Sequence, residues 1–233
     1  MDASTRFCSP PRSGCRIYLV RHGRTVMNAQ VRFRGRLEIP LDDVGRREAW
    51  DAAYGLSGAG LSAVYSSPLR RAIEVGNAIT SINDVGAVRP LDDLVNLDYG
   101  VWEGMTKEES AAHDPAAFAR YLNDPELAVC PEGEAVSAAA DRVVAALRHI
   151  AAEQTPGTSV AAVTHGIMVR LAVLRVAGPT EHDWQFAMPT ASAVIFDVVN
   201  GRIKLARPLD RSDPDPRKSG TYLFQRSTLE AAS

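Results

Sequence analysis

The sequence predicts an α/β protein, a three-layer αβα sandwich around a mostly parallel sheet that ends in an antiparallel edge strand. Three observations carry this. Short apolar runs alternate with amphipathic stretches of helical length, the pattern of strand–helix–strand units. Two of these runs pass directly into His-Gly: Ile17-Tyr18-Leu19-Val20-Arg21-His22-Gly23 and Val160-Ala161-Ala162-Val163-Thr164-His165-Gly166. Near the end, residues 192–199 and 202–205 flank Asn200-Gly201, a hairpin turn signal.

The elements follow in order. Residues 1–15, rich in Ser, Pro and Arg, read as a flexible N-terminal tail. Residues 16–20 form a short buried strand. Asp42-Asp43 offers an N-cap to a helix through residues 46–53. A second strand covers residues 61–65. Ser66-Ser67-Pro68 then opens a helix to about residue 80, with Ser at the cap and Pro in the first turn. Residues 88–91 suggest a short strand. Residues 105–131 are polar and interrupted by Pro, with one short helix at 116–122. Residues 134–153 make a long helix whose Val136, Val143, Val144, Leu147 and Ile150 share a stripe. A strand at 159–163 and a helix at 167–176 precede the hairpin. Residues 207–233, with Asp213-Pro214-Asp215-Pro216, read as a C-terminal tail. The whole is one domain over residues 16–206, with a lid segment at about 105–132.

Composition narrows the function. At 233 residues the chain suits one domain with a sizeable core. A net charge of −2 gives no basic field for nucleic acid. No apolar run reaches the roughly 18 residues of a membrane span. Residues 1–13 lack the apolar stretch of a secretory signal. Cys8, Cys15 and Cys130 match no zinc spacing, and their odd number argues against a disulfide framework. They read as reduced thiols of a cytoplasmic protein. The edge strand leaves a homodimer open.

Both His-Gly junctions fall at the carboxyl ends of strands, where open α/β sheets bind ligands. Arg21 and Arg71 fall at such junctions too, so the expected pocket holds two histidines and two arginines. A helix N-terminus beside it favours an anion. A neutral imidazole is nucleophilic near pH 7 and can carry a phosphoryl group, while guanidinium forks stabilise the oxygens. No metal-ligand cluster competes, and neither metal nor cofactor is expected. His113, His149 and His182 match no motif and read as surface residues, as does Arg70.

Arg21-His22-Gly23-Arg24-Thr25 followed by Asn28 resembles the signature of the histidine phosphatase superfamily, which includes the cofactor-dependent phosphoglycerate mutases. Further segments are similar to the family's in the same order. These are Arg34-Gly35-Arg36-Leu37-Glu38-Ile39-Pro40-Leu41, Tyr65-Ser66-Ser67-Pro68-Leu69-Arg70-Arg71-Ala72, Gly100-Val101-Trp102-Glu103-Gly104, Gly133-Glu134-Ala135 and Thr164-His165-Gly166. In Gly133-Glu134-Ala135, Ala replaces the family's Ser. The resemblance implies a phosphoglycerate mutase-like fold and a phosphohistidine mechanism. His22 would be the nucleophile, with Arg21, Arg71 and His165 binding the phosphoryl oxygens. Gly23, Asn28 and Gly166 would border the pocket. Arg24, Arg34, Trp102, Glu103 and Glu134 are candidates for substrate contact or support. Phe118, Arg120 and Tyr121 are candidates from the lid. Hydrolysis of a small phosphorylated metabolite is favoured over isomerisation, because the lid is short and Lys107 and Arg120 are its only basic residues.

One position departs from the pattern. The resemblance places a proton-donating glutamate four residues before Gly100, and this chain has Asn96. An amide is no general acid, and such a group contributes about 10²–10⁴-fold. Three explanations stand. Asp98 substitutes, since residues two apart in an extended segment share a side, with Asp92 and Asp93 less well placed. Alternatively, the substrate has a good leaving group, such as an acyl, aryl or amido phosphate. Or the protein binds phosphate esters with little turnover. A mutase-type phosphotransferase is the remaining alternative.

Overall fold

The computed structural model describes residues 9–178 and 186–207. Cys8, His182, residues 1–8 of the expected N-terminal tail and residues 208–233 of the C-terminal one lie outside them. Six strands form one sheet: β1 (Gly14–Arg21), β2 (Leu61–Ser66), β3 (Arg89–Pro90), β4 (Thr158–Thr164), β5 (Ala193–Val199) and β6 (Arg202–Leu205). Their spatial order is β3-β2-β4-β1-β5-β6. β1, β2, β3 and β4 run parallel, while β5 and β6 are antiparallel, as the hairpin signal predicts.

The sheet is central because its strands are apolar on both faces. In β1, Ile17 and Leu19 point into one core and Tyr18 and Val20 into the other. The first core packs α6 (Val136–Ala152) and α7 (Gly166–Ala177) against the sheet, through residues such as Leu147 and Met168. The second packs α2 (Asp43–Gly55) and α3 (Arg70–Asn83), through residues such as Leu56 and Ile79. This is the expected sandwich.

Register places the site. Val20 pairs with Val163, and Ser66 pairs with the same Val163. Three strand ends therefore lie level. The chain continues past that line with His22 N donating to the Thr164 carbonyl at 2.9 Å and Ser67 N to the Val163 carbonyl at 2.8 Å. His22, Ser67 and His165 thus leave the sheet at one edge.

Several expectations are corrected. β1 begins at Gly14 rather than residue 16, because Cys15 pairs with both Thr158 and Val198 and is 2 % exposed. β3 shrinks to Arg89–Pro90, since Pro cannot extend the ladder with its own N–H. α3 starts at Arg70, with Leu69 as its N-cap and no side-chain cap. α6 starts at Val136, not Glu134. A short helix, α1 (Val26–Ala29), follows Thr25, whose hydroxyl and the Asn28 amide form a capping box. The lid holds two helices, not one: α4 (Lys107–His113) and α5 (Pro115–Asn123). Thr106 and Glu109 form a capping box on α4, and Asp114 caps α5. No described helix is long and apolar enough to cross a membrane.

Candidate active site

At the carboxyl edge of β1 and β4, the His22 and His165 rings meet edge to face, with centroids 5.2 Å apart. Both residues are 1 % exposed. His22 Nδ1 lies 2.6 Å from the Gly23 carbonyl oxygen. A carbonyl only accepts, so Nδ1 carries the hydrogen and Nε2 keeps a lone pair. Gly23 is needed here because a Cβ would stand 2.5 Å from the Gly45 carbonyl of α2. His165 Nε2 is 2.8 Å from Ser67 Oγ, and its Nδ1 is buried without a partner.

Burial holds both imidazoles well below the ordinary histidine range. Arg71, then Arg21 and Arg34, push His22 further down; Arg71, His22 and Arg34 do the same to His165. Both rings are therefore neutral at pH 7.

Arg71 is fully buried. Its Nη1 donates to the Leu37 carbonyl and its Nη2 to the Gly35 carbonyl, both at 2.7 Å. Burial and Arg34 lower its pKa to about 10. Arg21 donates to the Met188 carbonyl, and its guanidinium lies over Gly166, where a Cβ would come within 3.0 Å of Nε. A side chain at the start of α7 would push Arg21 away.

A cavity of about 290 Å³ opens beside this pair. Arg21, Asn28, Arg34, Asn96, His165 and Gly166 are in its wall. Asn96 is 3 % exposed; Nδ2 donates to the Gly35 carbonyl at 3.0 Å, and Oδ1 is buried without a partner. Its segment is held by Arg142, which donates to the carbonyls of Asp93, Val95 and Asn96 and pairs with Glu134 at 2.8 Å.

Several candidates sit elsewhere than expected. Asp98 does not line the cavity; it accepts from Gly100 N at 2.9 Å and pairs with Arg36 at 3.2 Å. Asn96 reaches the Gly35 carbonyl from the cavity wall, whereas Asp98 is held by Arg36 and Gly100 N outside it. Asp92 and Asp93 are exposed on a 3₁₀ turn. Trp102, fully buried among Phe33, Phe118 and Tyr121, is core rather than pocket wall. Glu103 accepts from Arg36 N beneath Gly35, behind the cavity. Arg24 pairs with Asp42 and Glu134 with Arg142, so neither faces the cavity. In the lid, Tyr121 lines the cavity while Phe118 packs inward and Arg120 points to solvent.

Sequence reasoning missed Ser67, Arg142, Arg170 and Lys107 as parts of the site. Ser67 was read as a helix-start signal, and its contact with His165 spans 98 residues of chain. Arg170 follows Gly166 by one turn of α7, a spacing that would have found it. Among the described residues, no cluster of three or more His, Cys, Asp or Glu side chains is arranged to hold a metal. No described carboxylate lines the cavity.

Comparison with known proteins identifies the family. The family model for the histidine phosphatase superfamily (branch 1) matches residues 17–211. A metal-independent phosphoserine phosphatase of Arabidopsis thaliana is 34% identical over 162 residues, 69% of this chain and 68% of that one. The bifunctional protein Rv2228c of Mycobacterium tuberculosis is 40% identical over 121 residues, 51% of this chain. That match spans only 32% of the mycobacterial protein, so the chain aligns with about a third of its length. The structure of Bacillus stearothermophilus YhfR superposes with a TM-score of 0.76 at 27% identity, covering 85% of this chain and 100% of that one. The family model's match to residues 17–211, most of the chain, makes this protein a member of the histidine phosphatase superfamily, branch 1.

Proposed function

We propose that the protein is a metal-independent phosphatase that hydrolyses a small phosphorylated metabolite through a phosphohistidine on His22. The observation that carries this is the 2.6 Å contact from His22 Nδ1 to the Gly23 carbonyl, which leaves Nε2 as a free nucleophile among three arginines. In the first step Nε2 forms a bond to phosphorus as the ester P–O bond breaks, its electron pair leaving on the substrate oxygen. Arg21, Arg71 and His165 meet the charge on the phosphoryl oxygens. Water then attacks phosphorus, the N–P bond breaks and neutral His22 returns. Asn96 Oδ1, in the cavity wall without a partner, can accept a hydrogen bond from that water, but it transfers no proton. With Asp98 turned away, the reading that fits best is a substrate whose leaving oxygen departs with little protonation. Buried free thiols at Cys15 and Cys130 fit a cytoplasmic setting.

The test is trapping. Rapid quench with a labelled aryl or acyl phosphate gives an acid-labile, base-stable phosphoprotein in wild type and none in His22→Ala. Ester hydrolysis at an unchanged rate in His22→Ala sinks the mechanism. A second reading, binding without turnover, is favoured by Asn96 and the missing cavity carboxylate; tight binding with no labelling and no phosphate release would establish it.

A further inference from the structure

The segment that carries Asn96 has little regular structure to hold it. It makes a 3₁₀ turn at Asp92–Leu94, and residues 95–99 belong to no helix or strand. Leu94 and Asn96 are nonetheless buried. One side chain gathers the segment. Arg142, on the second turn of α6, donates from Nη1 to the Asp93 and Val95 carbonyls, both at 2.9 Å. Its Nη2 donates to the Asn96 carbonyl at 3.3 Å and to Glu134 Oε2 at 2.8 Å. Its Nε donates to Glu134 Oε1 at 3.0 Å. A guanidinium has five N–H donors in one plane, and each has an acceptor here.

Two routes lead from this clamp to the histidine pocket. The Leu94 carbonyl accepts from Thr164 Oγ1 at 2.7 Å, both residues are fully buried, and the next residue is His165. Asn96 Nδ2 donates to the Gly35 carbonyl, which also accepts from Arg71. Glu134 closes the frame. It accepts from Arg36 Nη2 of the 34–37 loop at 3.4 Å, and its N–H donates to the Asp98 carbonyl at 3.0 Å. Neither Arg142 nor Glu134 is in the cavity wall. A largely buried ion pair is by itself weak evidence of stabilisation. This one aims its remaining donors at the backbone that carries Asn96.

We propose that Arg142, anchored by Glu134, is a positioning residue for the histidine pocket: it fixes Asn96 directly and His165 through Leu94 and Thr164. Its part in turnover rests on the phosphatase proposal above; its hold on His165 does not.

The experiment uses Arg142→Lys, which keeps the charge but offers three donors from a single nitrogen and cannot span Glu134 and three carbonyls. Its kcat on 4-nitrophenyl phosphate should fall about tenfold. In the Asn96→Ala background the same substitution should change kcat by about twofold or less, because the group it positions is gone. Equal losses in the two backgrounds overturn the proposal, as does an unchanged kcat in Arg142→Lys. The second readout needs no turnover. In ¹⁵N-edited spectra of the histidine rings, Arg142→Lys should shift the His165 signals and leave those of the exposed His113 in place. Because the charge is kept, such a shift reports moved geometry rather than a lost field. Unmoved His165 signals overturn the proposal. Should the lysine variant not fold, Glu134→Gln replaces it in both assays, with the same outcomes expected. Shifted His165 signals in a protein that hydrolyses nothing keep the positioning role and discard the phosphatase. Hydrolysis that depends on His22 beside unmoved His165 signals keeps the phosphatase and discards the positioning role.

Discussion

Asn96 and Arg71 share one acceptor. Asn96 Nδ2 reaches the Gly35 carbonyl oxygen at 3.0 Å, and Arg71 Nη2 reaches the same oxygen at 2.7 Å. Asn96 is thereby tied to Arg71 through the 34–37 loop, which also carries Arg34.

Asn96→Glu follows from this. A protonated carboxyl at this position can donate to a leaving oxygen, and the gain is greatest where the leaving group most needs a proton. The variant should raise phosphate release from alkyl monoesters by up to about 10²-fold and leave acyl phosphates little changed. Its new activity should decline as pH rises, because the carboxyl must be protonated. Equal effects on alkyl, aryl and acyl esters would show that position 96 does not face the leaving group.

The buried histidines set the pH response. Their folded pKa values lie well below 6.5, so both stay neutral as pH falls through 6.5. The nucleophile therefore persists, and kcat/KM should show no acid limb near 6.5 arising from His22. Stability moves the other way. Below pH 6.5 the unfolded chain takes up protons that the folded chain refuses, so unfolding becomes easier as pH drops toward the folded values. Thermal melts at pH 7.5 and 5 should show this loss, and His22→Gln should lessen it.

Ser67→Ala removes the partner of His165 Nε2 while leaving the backbone hydrogen bond of Ser67 to Val163 in place. One such hydrogen bond is worth about 1 kcal/mol, so kcat should fall roughly fivefold. The melting temperature should barely change. A large loss of stability with full activity would show that the contact serves folding alone.

Gly35 adopts φ +48, and a Cβ there would stand 1.8 Å from Glu103 Oε1. Gly35→Ala must displace Glu103 from Arg36 N and strain the backbone, at about 1–2 kcal/mol of stability. Because Arg34 precedes it and Arg71 and Asn96 grip its carbonyl, activity should fall more than stability. A denaturation curve and a kcat/KM measured together check this.

Much of the fold was legible because burial leaves a linear trace. The runs at 17–20 and 160–163 are apolar at every position, which only a strand covered on both faces tolerates. The His-Gly junctions gave away the strand ends, and Asn200-Gly201 the hairpin. α4 was missed because its charged sequence carries no apolar stripe, although Thr106 and Glu109 spelled its capping box. Asp98 falls outside the cavity wall because Arg36 and the Gly100 N–H hold it, contacts that strand alternation does not foresee.

By itself, the sequence determined the layer order, the strands that flank the site and the residue types able to carry a phosphoryl group. These depend on local periodicity and on chemistry that travels with each side chain. Tertiary structure alone decided which groups meet. The common register of Val20, Ser66 and Val163 brings Ser67 to His165. The Gly35 carbonyl joins Asn96 to Arg71. Such pairings join residues tens of positions apart, and their geometry is set by sheet register and helix packing rather than by neighbours in the chain.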